Sequence, residues 1–322
     1  MKKFAIVAGL VFICVSAVAQ TQTVRAFSHR GGRMEFDENT LSAFEASRDA
    51  GYNGFETDIR MTSDGYLVIN HDHTLERTTN GEGILEEKTL AELKALKTKG
   101  GHELMTLDEL MAFLATCRQD GLYVEFELKT KPVGLYPQER LEEYCDKLYR
   151  TVMKNKPSNA TYLFTSGDYR GLRYLMSKYG AECLMITGDP LNDATIAMAK
   201  ALGIQRIGAT MPGTSRAMVE KAHRDGFIVS LWPTNKIEDF VLGCYLGADY
   251  LCTDIPRRCS RSSRDACILS PARGLSTMRS AWTATCTGDM RSEDSQSANR
   301  WRRCMRYWSS YVPFCQRKSP DT

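Results

Sequence analysis

Along most of this chain, short apolar runs rich in β-branched residues alternate with longer segments whose apolar positions recur at helical spacing. The runs predict strands over 24–29, 54–59, 122–128, 161–166, 182–187, 204–209, 227–232 and 249–253. Between them the periodicity predicts helices over 39–50, 106–118, 137–154, 168–179, 191–202, 214–225 and 235–246. The first helix has Asn39 or Thr40 as its N-cap and stops at Gly51. Strands that alternate with helices build a parallel sheet, and eight such units describe an α/β fold, the closed TIM (β/α)8 barrel.

One apolar run breaks the alternation. Leu67 to Asn70 follows Asp58 after a short Ser63-Asp64-Gly65 turn. A parallel crossover needs about a dozen residues or more, so this pair is expected to be antiparallel. The segment 60–105 therefore reads as a small insertion after the second strand, on the C-terminal face of the barrel, beginning with that hairpin.

The ends of the chain differ from its middle. Lys2 and Lys3 precede the apolar stretch Phe4 to Val18, and Ala17-Val18-Ala19 forms a small-residue cleavage site. The stretch is shorter than the roughly 20 residues that span a bilayer, so residues 1–19 read as a signal peptide and the product as exported, periplasmic or secreted, with no stable membrane span. The net charge of +3 hides a division: 29 Lys and Arg against 34 Asp and Glu up to residue 256, then 13 against 5 in 257–322. No nucleic-acid partner is expected, because the basic excess belongs to that tail alone. The tail is Arg-rich and holds five of the 11 cysteines and three of the four tryptophans, without apolar periodicity. It reads as a disordered segment or an out-of-frame product, leaving 20–256 as the barrel. Cys117, Cys145, Cys183, Cys244 and Cys252 are widely spaced in apolar patterns and read as buried free thiols.

The chemistry concentrates near strand ends. Glu56 and Asp58 stand two residues apart in F-E-T-D-I, which places both carboxylates on one strand face. Such a pair repels itself unless a cation lies between, and hard oxygen donors suit one divalent ion, Mg²⁺ or Ca²⁺, better than zinc. In Y-V-E-F-E-L-K, Glu125, Glu127 and Lys129 alternate onto one face as well. Charges there are intolerable inside a barrel unless paired or metal-bound. His29 and His71 each follow an apolar run and belong at strand ends, where histidines of tunable pKa can serve acid–base work at a phosphate.

The runs S-H-R-G at 28–31, E-N-T at 38–40, F-E-T-D-I at 55–59, T-S-D-G at 62–65, H-D-H-T-L-E-R-T-T-N-G at 71–81, E-L-K at 127–129, S-L-W-P-T-N at 230–235 and T-D-I-P at 253–256 occur in the order and spacing of a known family. Over residues 24–256 the chain resembles the glycerophosphodiester phosphodiesterases. The resemblance implies a metal-dependent TIM barrel that hydrolyses glycerophosphodiesters, with a small-molecule phosphodiester as its partner. It implies Glu56, Asp58 and Glu127 as metal ligands, His29 and His71 as the acid–base pair, and Arg30 and Lys129 as phosphate contacts. It also implies attack by the glycerol 2-hydroxyl. Asp37 departs from the pattern, which has proline there.

Other readings stay open at this level. They are a phospholipase D-like action on lysophospholipids, a non-catalytic barrel that binds phosphorylated polyols, and a His71–His73 metal pair. Trp232 fits either a substrate wall at the mouth or core packing. A glycosidase using Glu125 and Glu127 fits poorly, since acids about 7 Å apart on one strand do not flank a bond.

Overall fold

The computed structural model describes residues 24–259. The expected signal segment and all of the basic tail beyond Cys259 lie outside the described residues.

Strand β1 (Arg25–His29) leads into helix α1 (Leu41–Asp49) and then β2 (Gly54–Met61). The insertion follows with β3 (Leu67–Ile69), a 3-10 turn at Leu85–Glu87 and the short helix α2 (Leu90–Lys94). Helix α3 (Leu107–Thr116) resumes the alternation, followed by β4 (Tyr123–Leu128), α4 (Gln138–Met153), β5 (Thr161–Ser166) and α5 (Tyr169–Tyr179). The chain continues through β6 (Cys183–Pro190), α6 (Asp193–Leu202), β7 (Arg206–Thr210), α7 (Arg216–Arg224), β8 (Ile228–Thr234), α8 (Ile237–Leu246) and β9 (Tyr250–Thr253).

All strands except β3 pair in parallel, and β1 pairs with both β2 and β9, so eight of them close into a barrel. Strand β3 runs antiparallel to the end of β2, with Ile59 opposite Ile69 and Met61 opposite Leu67. That pairing extends β2 two residues beyond the expected end at Ile59. Strand β6 likewise runs past the expected residue 187 to Pro190, through a register shift against β7.

The outward strand faces pack on the helices. Phe44 of α1, Phe55 of β2 and Phe113 of α3 form one aromatic contact group with centroids 5.5–6.0 Å apart. Phe55 meets each of the other two rings edge-to-face, and such pairs add roughly 0.5–1.5 kcal/mol each beyond area burial. Inside the barrel the lower layers are apolar. Phe27, Tyr123, Leu163, Leu184 and Cys252 pack together, and Tyr123 stacks on Tyr250 at 4.4 Å. The insertion has a small core of its own, built from Val68, Leu75, Leu85, Leu93 and Leu104.

Helix α1 shows how local sequence sets the mouth. Thr40, not Asn39, is its N-cap, its hydroxyl accepting from the Ala43 N–H. Asn39 takes a left-handed conformation (φ 59°) and turns its amide toward β2. The tail was expected to begin at Arg257 without packing, yet its first three residues are placed. The Arg257 and Arg258 N–H groups donate to Glu35 at 2.7 and 3.2 Å, and Cys259 is buried against Thr253. The five cysteines expected as free thiols carry no disulfide; four are buried and Cys244 is half-buried.

Candidate active site

Above the apolar layers the barrel interior becomes charged. On β2, Glu56, Asp58 and Arg60 alternate inward while Phe55, Ile59 and Met61 pack outward. Register pairs Glu56 with Glu125 and Asp58 with Glu127 on β4. One potential ligand oxygen from each of Glu56, Asp58 and Glu127 lies within 4.8 Å of the others, and this is the metal-type cluster found among the described residues. Neither His71 nor His73 belongs to it, which disfavours the H-x-H reading.

The electrostatics of the cluster suit a bound cation. Glu56 is pushed well above the usual carboxylate range by burial and then by Asp58 and Glu127. Its Oε1 is buried with no hydrogen-bond partner, as is Asp58 Oδ1. Buried carboxylate oxygens without donors are costly unless a cation completes them, so these three residues fit a divalent ion. Burial pushes Asp58 up too, but Arg30 and Lys129 outweigh it and hold this carboxyl far below its usual range. Arg30 Nε lies 3.0 Å from Asp58 Oδ2, which also accepts from Asn39 Nδ2 at 2.8 Å. Lys129 Nζ sits 2.9 Å from Glu127 and 3.6 Å from Asp58.

Arg30 follows β1 in a left-handed conformation (φ 52°), uncommon for a residue with a side chain. Its N–H donates to the Glu56 backbone oxygen at 3.1 Å, and its guanidinium is drawn to Asp58. Gly31 is required beside it. A Cβ there would stand 2.6 Å from the Ala43 Cβ, at φ 77°.

The two histidines flank this centre, and each has a carboxylate behind its Nδ1. For His29 that partner is Asp254 at 2.6 Å, while Nε2 faces Glu56 at 3.6 Å. Asp254 is fully buried and also takes Arg33 Nε at 3.0 Å. Burial raises its pKa, but His29 and Arg33 outweigh this and hold it below the usual range. His71 sits at the end of β3 with Asp72 Oδ1 at 2.5 Å from its Nδ1. Burial pushes His71 down; Asp58 opposes this, while Arg30 and Lys129 add to it, and the net shift is downward. Arg60 holds the His71 carbonyl with two donors at 3.0 and 2.7 Å and is itself paired with Glu86 at 2.5 Å.

Trp232, half-buried near the end of β8, packs on the interior apolar cluster, and its Nε1 has no partner among the described residues. Glu125 lies beside Glu56 in the sheet register, where burial raises it to about 7 although the Tyr123 hydroxyl donates to it at 2.5 Å. It does not flank an open bond position with Glu127. Asp37, where the resemblance has proline, accepts from the Thr98 hydroxyl and so ties the β1–α1 loop to the insertion. Asp254, Asp72, Glu38, Arg33 and Arg77 had no role assigned from sequence, although Asp254, Asp72, Glu38 and Arg77 stand inside quoted motifs. Asp72 stands next to its partner His71, but Asp254 with His29 and Arg77 with Glu38 are distant in sequence, and no spacing announces such pairs. A cavity of about 360 Å³ at the opposite end, lined by residues such as Arg25, Tyr52, Arg118 and Tyr250, contains no acid or histidine. The chemistry belongs to the C-terminal mouth, as in other barrels of this type.

The chain is also similar to known proteins. A model described as "Glycerophosphoryl diester phosphodiesterase family" matches residues 29–258. The chain is 30% identical over 246 residues to the uncharacterized protein YqiK of Bacillus subtilis, covering 73% of this chain and 97% of that one. It is 26% identical over 250 residues to a glycerophosphodiester phosphodiesterase of Bacillus altitudinis, covering 73% and 96%. Among solved structures, a putative glycerophosphoryl diester phosphodiesterase from Silicibacter pomeroyi superposes with a TM-score of 0.69 at 24% identity, covering 76% of this chain and 94% of that one. An Oleispira antarctica phosphodiesterase, solved with the product sn-glycerol-3-phosphate, gives 0.67 at 22%, covering 77% and 99%. At these identities the structural likeness bears on the fold.

Proposed function

The chain belongs to the glycerophosphoryl diester phosphodiesterase family, and from that premise we propose that this phosphoric diester hydrolase cleaves glycerophosphodiesters to an alcohol and glycerol phosphate by histidine acid–base catalysis. The observation that carries the reading is the placement of His29 and His71 around the Glu56–Asp58–Glu127 cluster, each histidine braced by an aspartate on Nδ1.

Glu56, Asp58 and Glu127 would hold one divalent ion, Mg²⁺ or Ca²⁺. When bound, the ion supplies positive charge at the phosphate oxygens. Arg30 and Lys129 carry further positive charge beside Asp58 and stabilise the negative charge that grows in the transition state. His71, held down and therefore neutral at pH 7, takes the proton of the attacking glycerol 2-hydroxyl. His29, its ring set between the Asp254 and Glu56 carboxylates, gives a proton to the leaving alkoxide, and water then opens the resulting cyclic phosphate to glycerol phosphate. Trp232 offers an apolar face to the substrate. We also propose export from the cytoplasm, supported by the Lys2 to Ala19 pattern, which lies outside the described residues. No described helix is long and apolar enough to cross a membrane.

The test is a panel of glycerophosphodiesters, lysophospholipids and bis-aryl phosphodiesters given to the full chain, with products identified by mass spectrometry. Release of glycerol phosphate from the first class is expected. Exclusive turnover of lysophospholipids would replace this reading with the phospholipase D-like one.

A further inference from the structure

The insertion that bears His71 and the β1–α1 loop that bears Arg30 meet across the mouth through two residues outside the reacting set. Arg77 donates from Nη1 and Nη2 to the two oxygens of Glu38 at 2.9 and 2.8 Å, the planar fork that arginine makes with a carboxylate. The same Arg77 donates from Nε to Asp72 Oδ2, the oxygen left over when Asp72 Oδ1 meets His71 Nδ1 at 2.5 Å. Glu38 Oε1 in turn accepts from Arg30 Nη1 at 3.2 Å, and Arg30 Nε lies 3.0 Å from Asp58. A continuous chain of charged contacts thus runs from His71 through Asp72, Arg77, Glu38 and Arg30 to Asp58.

We propose that Glu38 and Arg77 are positioning residues that act through His71, fixing its ring plane and tautomer relative to Arg30 and the acidic cluster. The proposal rests on His71 being an acid–base group. A histidine whose Nδ1–H is given to a fixed carboxylate presents Nε2 as its working nitrogen. Asp72 is attached to a loop and can fix that ring only if its second oxygen is held, which Arg77 does. Arg77 is nearly half exposed (46%), so its ion pairs contribute little to fold stability. Its geometry, spanning three oxygens on two loops, is one that a lysine ammonium does not reproduce.

The experiment measures kcat and KM for glycerophosphoethanolamine on the full chain as wild type, Arg77→Met, Arg77→Lys, Glu38→Gln, His71→Ala and the Arg77→Met/His71→Ala double variant. Melting temperature and calorimetric titration with Mg²⁺ alone accompany each. Arg77→Met is expected to lower kcat roughly tenfold or more, as losing an orienting partner does, with wild-type melting and Mg²⁺ affinity. Arg77→Lys is not expected to restore it, and Glu38→Gln should lower kcat in the same direction. In the His71→Ala background the Arg77→Met loss should vanish, because residues acting through one group are not additive. A wild-type kcat for Arg77→Met, or an undiminished loss in the double variant, would overturn the proposal. Wild-type turnover of His71→Ala alone would instead overturn the acid–base reading beneath it, and the proposal with it.

Discussion

His29 Nδ1 stands 2.6 Å from Asp254 Oδ1, a contact between the last residue of the first barrel strand and the residue just after the last strand. Strands β1 and β9 pair along this seam, Ser28 opposite Thr253. The orientation of His29, one of the two proposed acid–base histidines, is therefore set by closure of the barrel.

Replacing Asp254 by Asn should keep the fold and lower turnover by about 10² to 10⁴, the cost of a misoriented or mis-tautomerised acid–base histidine. Arg33, which also pairs with Asp254, is 35% exposed and can turn to solvent. Steady-state kinetics beside circular dichroism decides this; unchanged turnover would show that the contact is structural only.

Much of this architecture was legible in the sequence, and the physical reason is periodicity. The eight parallel strands and seven long helices announce themselves by apolar spacing, and β3 by a turn too short for a parallel crossover. The same logic placed Glu56 and Asp58 on one face. The strand ends were less legible, because β2 runs to Met61 only through its pairing with β3. Helix α2 was missed, since five residues from Leu90 to Lys94 hold too few turns to show a period. Asp254 behind His29, Arg77 on Glu38 and Arg60 on Glu86 were also missed. They join residues 26 to 225 positions apart, and only the closed fold brings them together.

His29→Ala and His71→Ala should each cost about 10² to 10⁴ in kcat, the usual loss of a general acid or base. His102→Ala and His223→Ala should leave it close to wild type, since His102 reaches only Ser42 and His223 pairs with Asp249 away from the mouth. Parallel initial-rate measurements on the four variants test this, and equal losses in all four would remove the special role given to the first two.

Glu86→Ala should destabilise the fold by about 3–5 kcal/mol, because it leaves the Arg60 guanidinium buried without its carboxylate. The paired change Arg60→Met with Glu86→Leu should recover much of that stability but not the turnover, since Arg60 also holds the His71 carbonyl. Urea midpoints and kcat together separate the two effects. Recovery of both would deny Arg60 any part in placing His71.

A pH effect on stability should come from His223. Its hydrogen bond to Asp249 at 2.9 Å lifts it above the usual histidine range, against the opposing effect of burial. A raised folded value means that the contribution is fully present below the unfolded pKa of about 6.5 and fades as pH rises through the folded value. Urea unfolding from pH 5.5 to 8.5 should show this component in the wild type and not in His223→Gln. An identical pH profile in both would contradict the assignment.

Phosphodiester cleavage should depend on a cation held by Glu56, Asp58 and Glu127. Glu56 is raised by burial and then by Asp58 and Glu127, so a cation entering there should displace its proton, and affinity should fall as pH falls. The most direct measurement is turnover of a glycerophosphodiester by the full chain after exhaustive EDTA treatment, then after return of Mg²⁺ or Ca²⁺, in wild type and Glu56→Gln. Turnover should be absent in chelator, recover fully with ion in the wild type, and recover in a folded Glu56→Gln protein only at much higher ion concentration. Full turnover in excess chelator would contradict that dependence.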